Sequence, residues 1–116
     1  MEIKRLHVGA RLSEAAVHNS VVYLAGQIAD DLTQNIDGQT REVLAQIDRL
    51  LSEAGSDKSR LLMCQIFLAD IKDIAAMNAV WDAWVTPGHT PPRATVQATL
   101  ARPELLVEVV VTAALA

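Results

Sequence analysis

Hydrophobic and polar residues alternate in three short segments at the start of the chain. These segments are EIKRLHV (2–8), EAAVHN (14–19) and VVYLAGQ (21–27). Alternation with a period of two is typical of β-strands that bury one face. Asn19 and Ser20 separate the last two segments and suit a tight two-residue turn. We therefore predict that this part of the chain forms a three-stranded β-meander.

The next segment spaces its apolar residues as an amphipathic α-helix does. Offsets of one, three and four place six of them on one stripe. They are Val43, Leu44, Ile47, Leu50, Leu51 and Ala54. The helix is predicted to begin between Asn35 and Gly38, and Gly55 stands where a C-terminal cap is expected.

The second half of the chain predicts a strand, a helix and two further strands. RLLMCQIFLAD (60–70) is short and apolar, which is typical of a buried strand, and Asp70 is suited to cap the helix that follows. Pro87 and Gly88 end that helix. ATVQATL (94–100) and LLVEVVVTAAL (105–115) are the last two predicted strands. The inner stripe of the helix is predicted to contain Ile74, Met77, Asn78, Trp81, Trp84 and Val85.

The predicted order of elements is β-β-β-α-β-α-β-β, within a single domain over residues 1–116. It indicates an α+β fold in which one mixed six-stranded sheet carries both helices on one face. Leu62, Cys64, Ile66 and Leu68 are expected on one face of their strand, yet the opposite face of the same strand is also largely apolar. Two helices cover only one face, so we expect another copy of the chain to cover the other.

Composition and charge narrow the function classes. The 116 residues carry a formal net charge of −4, and their Lys and Arg residues are scattered, which disfavours nucleic acid as a partner. No segment has the length of a membrane span or a signal-peptide core, so the cytoplasm is the expected location. Cys64 lies in an apolar run and is expected to be a buried, unreactive thiol. His7, His18 and His89 are far apart in the sequence, and no metal site is predicted.

Two charged residues are candidates for chemistry. Arg93 follows Pro91 and Pro92, whose restricted backbone makes its position stiff and suits bidentate capture of a carboxylate or phosphate. Its alternative interpretation is a solvated arginine at a strand edge. Glu108 is the one charge within the last apolar strand, where it could reach solvent, pair with a cation or take part in a reaction. If the last two strands are neighbours, Arg93 and Glu108 could border one cavity.

Five stretches have a recognisable order and spacing. They are VVYLAGQIA, QTREVLAQIDRLLSEAGSDKSRLL, CQIFLADIKDIAAMNAVWDAWV, TPPRATV and LLVEVVVTAA. Together these stretches resemble the RidA family of enamine/imine deaminases, also called YjgF or RutC-like. The Gly-Gln pair after the third strand, the PPRATV segment and the fifteen-residue step from Arg93 to Glu108 are its more specific parts. The resemblance covers nearly the whole chain.

The resemblance implies a chorismate-mutase-like fold assembled as a homotrimer, with pockets between subunits. Arg93 matches the residue that grips the substrate carboxylate, and Glu108 matches the one that holds the attacking water. Thr95, where many members have cysteine, and Gly26 would line the pocket. Ala25 and Leu12 would also line it, replacing a serine and a tyrosine found in many deaminases, so a more apolar pocket is expected.

The activity implied is hydrolysis of a 2-imino acid, of the 2-iminobutanoate or 2-iminopropanoate type, to a 2-oxo acid and ammonia. No cofactor is needed for this reaction. Two alternatives stay open. One is a non-catalytic regulatory trimer that binds small carboxylates, and the other, less favoured, is an endoribonuclease or translation inhibitor.

Overall fold

The computed structural model describes residues 2–116 and confirms the predicted order of elements. The helices are α1 (Ile36–Ala54) and α2 (Ile74–Trp84), and short 3₁₀ turns occupy Lys58–Arg60 and Ile71–Asp73. The strands are β1 (Lys4–Val8), β2 (Ser13–His18), β3 (Val21–Leu24), β4 (Leu61–Leu68), β5 (Arg93–Gln97) and β6 (Val107–Ala114).

All six strands pair into one mixed sheet with the spatial order β1-β2-β3-β6-β4-β5. β4 and β5 are parallel, and the other neighbouring pairs are antiparallel. Because β3 and β4 are both antiparallel to β6, they run in the same direction, and α1 and α2 are crossover helices between parallel strands. Both helices pack on one face of the sheet, as predicted. The last two strands of the chain are not neighbours, because β4 lies between them.

Local side-chain chemistry fixes the ends of α1. The Asn35 side chain accepts a hydrogen bond from the Gly38 N–H, which satisfies one of the free donors in the first turn. Gly55 ends the helix in the left-handed region at φ 91° and donates to the carbonyls of Leu51 and Ser52. The predicted apolar stripe faces the core, where only Ala54 of the six is partly exposed.

The turn between β2 and β3 also follows its sequence. Asn19 and Ser20 adopt φ 52° and 62°, the two positive values that a tight hairpin turn of the I′ type requires. The turn sets the pairing of β2 with β3, in which His18 lies opposite Val21.

The start of the second helix differs from the prediction. Asp70 accepts from the Lys72 N–H and caps the 3₁₀ turn over Ile71–Asp73, so α2 itself begins only at Ile74. Met77 and Trp81 are buried. The rest of the predicted inner stripe, Ile74, Asn78, Trp84 and Val85, is half-buried.

The predicted register of β4 is wrong at its start. The pairing with β6 shifts between Leu61 and Met63, so Leu61 takes the buried position and Leu62 is 46% exposed. An irregularity of this kind inserts one residue and reverses the faces of the residues before it. Cys64, Ile66 and Leu68 are buried, as predicted.

The face of the sheet opposite the helices is uncovered within the chain. Val110 and Thr112 of β6 lie on this face beside Glu108, and each is only partly buried, whereas their neighbours along the strand are buried. Exposed apolar side chains of the chain include Tyr23, Met63 and Val96. An apolar surface of this kind is typical of an interaction surface.

Candidate functional site

Arg93 begins β5 and lies on the helix-bearing face of the sheet. Its register partner is the buried Cys64, whose N–H donates to the Pro92 carbonyl over 3.0 Å. The guanidinium carbon lies 5.2 Å from the centroid of the Trp81 ring, within the range of a cation–π contact. Within residues 2–116 no carboxylate oxygen lies within 4.0 Å of this guanidinium. Arg93 is therefore held by backbone and ring contacts while its charge is free to bind an anion.

Two buried polar atoms without hydrogen-bond partners lie on the elements that hold Arg93. Thr95 is two residues farther along β5 and shares the face of Arg93, and its Oγ1 has no partner. Asn78 is one helical turn before Trp81, and its Oδ1 has none either. Asn78, a polar residue within the predicted apolar stripe, makes no side-chain hydrogen bond within residues 2–116. Since buried polar atoms are nearly always paired, these two indicate that a polar group is needed at this place.

Glu108 lies on the opposite face of the sheet and packs on Gly26. A Cβ atom at position 26 would overlap with Glu108 Oε2, so only glycine leaves room for the carboxylate in this position. The next residue, Gln27, exchanges two backbone hydrogen bonds with Val109, of 2.8 and 3.1 Å. The segment after β3 is therefore fixed against β6 at the position of Glu108.

Gln27 is a further residue of this site, and its role could not be predicted from its place in the sequence. Its buried side chain donates to Glu14 Oε2 over 2.8 Å and to the Ala25 carbonyl over 3.1 Å. The Ala25 N–H in turn donates to the Glu14 carbonyl. These bonds hold Ala25 and Gly26 beside Glu108. The signal in the sequence is an amide placed directly after a glycine at the end of an apolar strand.

Arg93 and Glu108 do not share a cavity within one chain, contrary to the expectation for neighbouring strands. In the sheet Arg93 is in register with Cys64, and Glu108 with Phe67. Cys64 and Phe67 are three residues apart along β4, so the Arg93 and Glu108 side chains lie on opposite faces, about 10 Å apart in the strand direction. β4 also lies between the strands that carry them. The candidate site residues thus form two groups, Arg93 with Thr95 and Glu108 with Ala25 and Gly26.

Leu12 lies in the connection between β1 and β2. It is 56% exposed, and its carbonyl accepts from the Gly9 N–H. Glu14 follows two residues later, and its carbonyl accepts a hydrogen bond from the Ala25 N–H. Leu12 therefore lies at the same end of β2 that fixes the Glu108 group.

Cys64 is unsuited to nucleophilic chemistry. Burial raises the pKa of its thiol from the ordinary 9.0 to about 12, while the nearby Arg93 charge acts weakly in the other direction. A thiol is reactive as the thiolate, which is scarce at neutral pH with this pKa.

Comparisons with known proteins place the chain in a family. The sequence model described as "Endoribonuclease L-PSP" matches residues 2–115. A RutC family protein of Haemophilus influenzae is 50% identical over 114 residues, which are 97% of this chain and 98% of the relative. The chain belongs to the RidA/YjgF/RutC family. A second RutC family protein, YoaB of Escherichia coli K12, is 46% identical over 98% of this chain and 99% of its own length.

A solved structure of the RidA/YjgF/RutC family has the same fold. NMB1025 of Neisseria meningitidis, a member of the YjgF family, superposes with a TM-score of 0.97 at 46% sequence identity, covering 100% of this chain and 97% of its own. In residues 2–116 no helix is long and apolar enough to cross a membrane.

Proposed function

We propose that this RidA/YjgF/RutC family member hydrolyses 2-imino acids to 2-oxo acids and ammonia. Arg93 binds the substrate carboxylate, and Glu108 holds the water that attacks the imine carbon. The observation that carries the proposal is the unpaired Arg93 guanidinium, held over Trp81 on the same face as the unpartnered Thr95 Oγ1. A planar guanidinium in a fixed position suits bidentate binding of a carboxylate.

The separation of Arg93 and Glu108 supports a site made by two copies of the chain. In one copy the two side chains are on opposite faces of the sheet, with β4 between their strands. A closed ring of copies brings an edge of one sheet against the uncovered face of the next and makes the same contact at every interface. We propose a homotrimer in which Arg93 of one protomer and Glu108 of its neighbour border each pocket.

The reaction needs positioning and one general base. The carboxylate on Arg93 fixes the imine carbon next to the water, which converts an encounter in solution into an oriented pair. Glu108 accepts a proton from the water as its oxygen bonds to carbon, and passes that proton to the imine nitrogen. The C–N bond of the carbinolamine then breaks as its hydroxyl proton moves to the nitrogen, which leaves the 2-oxo acid and ammonia. A base of this kind contributes about 10²- to 10⁴-fold.

Imine hydrolysis with an arginine variant tests the proposal. An amino-acid oxidase generates 2-imino acids in the presence of semicarbazide, which traps the imine that survives. Wild-type protein is expected to suppress the trapped product, and Arg93→Ala to lose at least about 100-fold of that activity. Arg102→Ala, at an exposed residue paired with Glu104 over 3.6 Å, is the matched control and keeps full activity.

The oligomeric state of each protein is measured together with its activity. Light scattering is expected to give the same multiple of 12.6 kDa for the wild type, Arg93→Ala and Arg102→Ala. Full activity in Arg93→Ala would contradict the role given to this residue, and a monomeric wild type would contradict the site between copies.

A regulatory trimer that binds small carboxylates without turnover is the second candidate. It is favoured by Ala25 and Leu12, which supply no hydroxyl to the Glu108 group. Saturable binding of 2-oxo acids that Arg93→Ala abolishes, with no imine hydrolysis by the wild type, is the result that would select it. The net charge of −4 disfavours RNA as the substrate.

A further inference from the structure

A second cavity lies between α1 and α2, outside the residues of the proposed active site. Its volume of about 410 Å³ is in the range of small-molecule sites. We call it the interhelical groove, and its apolar lining consists of Leu44, Ala45, Ala79, Val80, Ala83 and Trp84. The three alanines leave space between the helices. The groove lies on the helix layer, so the copies proposed to cover the opposite face of the sheet leave it open.

Charged side chains complete the lining, and among them Lys58 makes no ion pair with a neighbouring carboxylate in the part of the chain that the structure describes. It is half-buried, and its ammonium lies 5.3 Å from the centroid of the Trp84 ring. In the described residues 2–116 no carboxylate lies within 4.0 Å of that ammonium. Of the two acidic residues in the lining, Asp48 accepts the Trp84 indole N–H over 2.9 Å and Asp37 lies 4.0 Å from Arg41. The lining thus carries two acidic and two basic side chains, and Lys58 is the basic one that is available to pair with a ligand carboxylate.

We infer that the interhelical groove binds an organic monocarboxylate with a compact apolar body. The carboxylate pairs with Lys58, and the body packs against Trp84 and the alanines of α2. Asp37 and Asp48 in the lining disfavour a dianion. A groove of this size suits a small ligand better than a protein, since stable protein interfaces need a much larger contact.

The groove is joined to the Arg93 site by a continuous stack of side chains. Lys58 lies over Trp84, the Trp84 and Trp81 ring centroids are 5.4 Å apart, and Trp81 lies under the Arg93 guanidinium. A carboxylate that draws Lys58 away from Trp84 changes the packing of both rings. Binding in the groove is therefore expected to change the affinity of Arg93 for its own carboxylate. This coupling rests on the proposed function, whereas the binding itself does not.

The test uses cyclohexylacetate as the probe and 2-cyclohexylethanol as its uncharged analogue. Both are titrated into ¹⁵N-labelled Arg93→Ala protein, so that the proposed active site cannot capture the carboxylate. The two tryptophans of the chain give two indole N–H signals, which Trp81→Phe assigns. Cyclohexylacetate is expected to shift the Trp84 signal saturably, with at least about tenfold weaker binding for the alcohol.

Two further variants locate the probe. Lys58→Met removes the charge and keeps the apolar stem, and Ala83→Leu fills the groove, so each is expected to weaken binding at least about tenfold. Lys72→Met, at an exposed lysine outside the groove lining, is the matched control and binds as before. Thermal melts check that all variants fold. No saturable shift, equal binding of the alcohol, or unchanged binding in Lys58→Met would each overturn the inference, whatever the outcome for imine hydrolysis.

Discussion

Arg93 and Glu108 project from opposite faces of the same sheet, and β4 separates their strands. The proposed function therefore requires the two candidate residues to act together across a boundary between copies of the chain. In the proposed trimer, each copy supplies an arginine to one pocket and a glutamate to another. This arrangement accounts for the uncovered apolar face and for a charge within β6, and it leads directly to a complementation experiment.

Mixed trimers of two inactive variants are expected to recover activity. In a random 1:1 mixture of Arg93→Ala and Glu108→Gln protomers, about a quarter of the interfaces join an intact arginine to an intact glutamate. The mixture should therefore show about a quarter of the wild-type rate after subunit exchange, which mass spectrometry of differently labelled protomers verifies. Complete exchange without recovery would contradict a pocket shared by Arg93 of one protomer and Glu108 of its neighbour.

A methyl group at position 26 is expected to damage catalysis more than folding. The added Cβ of Gly26→Ala would overlap with Glu108 Oε2, and the flexible carboxylate moves away at little cost to the rest of the fold. We expect kcat to fall at least about tenfold, with a change in KM of less than about threefold. In the Glu108→Asp background, where the carboxylate is shorter, Gly26→Ala should lower kcat by a smaller factor than it does in the wild type. Equal kcat values for Gly26→Ala and wild type would contradict the contact.

Hydroxyl groups at positions 25 and 12 are expected to change substrate preference. Ala25 lies beside Gly26, and Leu12 lies at the end of β2 that fixes the same segment. The wild type should favour imines derived from amino acids with larger apolar side chains. Ala25→Ser with Leu12→Tyr should move the kcat/KM ratio between apolar and polar imines by about tenfold toward the polar ones. An unchanged ratio across the panel would show that these positions do not line the pocket.

Gln39 is expected to be important for stability. Its side chain is fully buried and joins α1 to the segment before β6, donating to the carbonyls of Gln34 and Glu104 and accepting from the Leu106 N–H. Gln39→Leu leaves these backbone groups unpaired and should lower the free energy of unfolding by about 2–4 kcal/mol, measured by denaturant titration. Gln46→Leu, which removes an amide with a single hydrogen bond, should cost less than half as much.

The Cys64 thiol is expected to resist modification until the protein unfolds. Burial raises its pKa to about 12, so at pH 8 the folded protein holds almost no thiolate. An aromatic disulfide reagent should react at the unfolding rate in buffer and at once in denaturant. Rapid reaction of the folded protein would contradict the burial of Cys64.

The same pKa predicts a loss of stability at high pH. The unfolded chain releases the Cys64 proton near pH 9.0, whereas the folded chain holds it until about 12. The contribution of this group is therefore full below pH 9 and is lost progressively between pH 9 and 12. Cys64→Ala should show a flatter decline in stability over that range than the wild type does, as measured by thermal melts.

Features that depend on nearby residues could be predicted from the amino-acid sequence. The α1 caps at Asn35 and Gly55 and the turn at Asn19 and Ser20 need particular side chains or backbone freedom at one place. The period of the apolar residues set the type and order of the elements. These are local physical requirements, so they can be predicted without knowing which strands become neighbours.

The way in which the elements pair and pack could not be predicted from local sequence. β6 enters the sheet between β3 and β4, the start of β4 shifts its register, and Arg93 and Glu108 end on opposite faces. Alternation assigns a residue to one of two faces, but it does not say which distant strand pairs with which. That choice depends on burying both helices and the central strands together, a property of the whole chain. Arg93 and Glu108 can therefore be chosen as candidates from the sequence, whereas their separation follows from long-range packing.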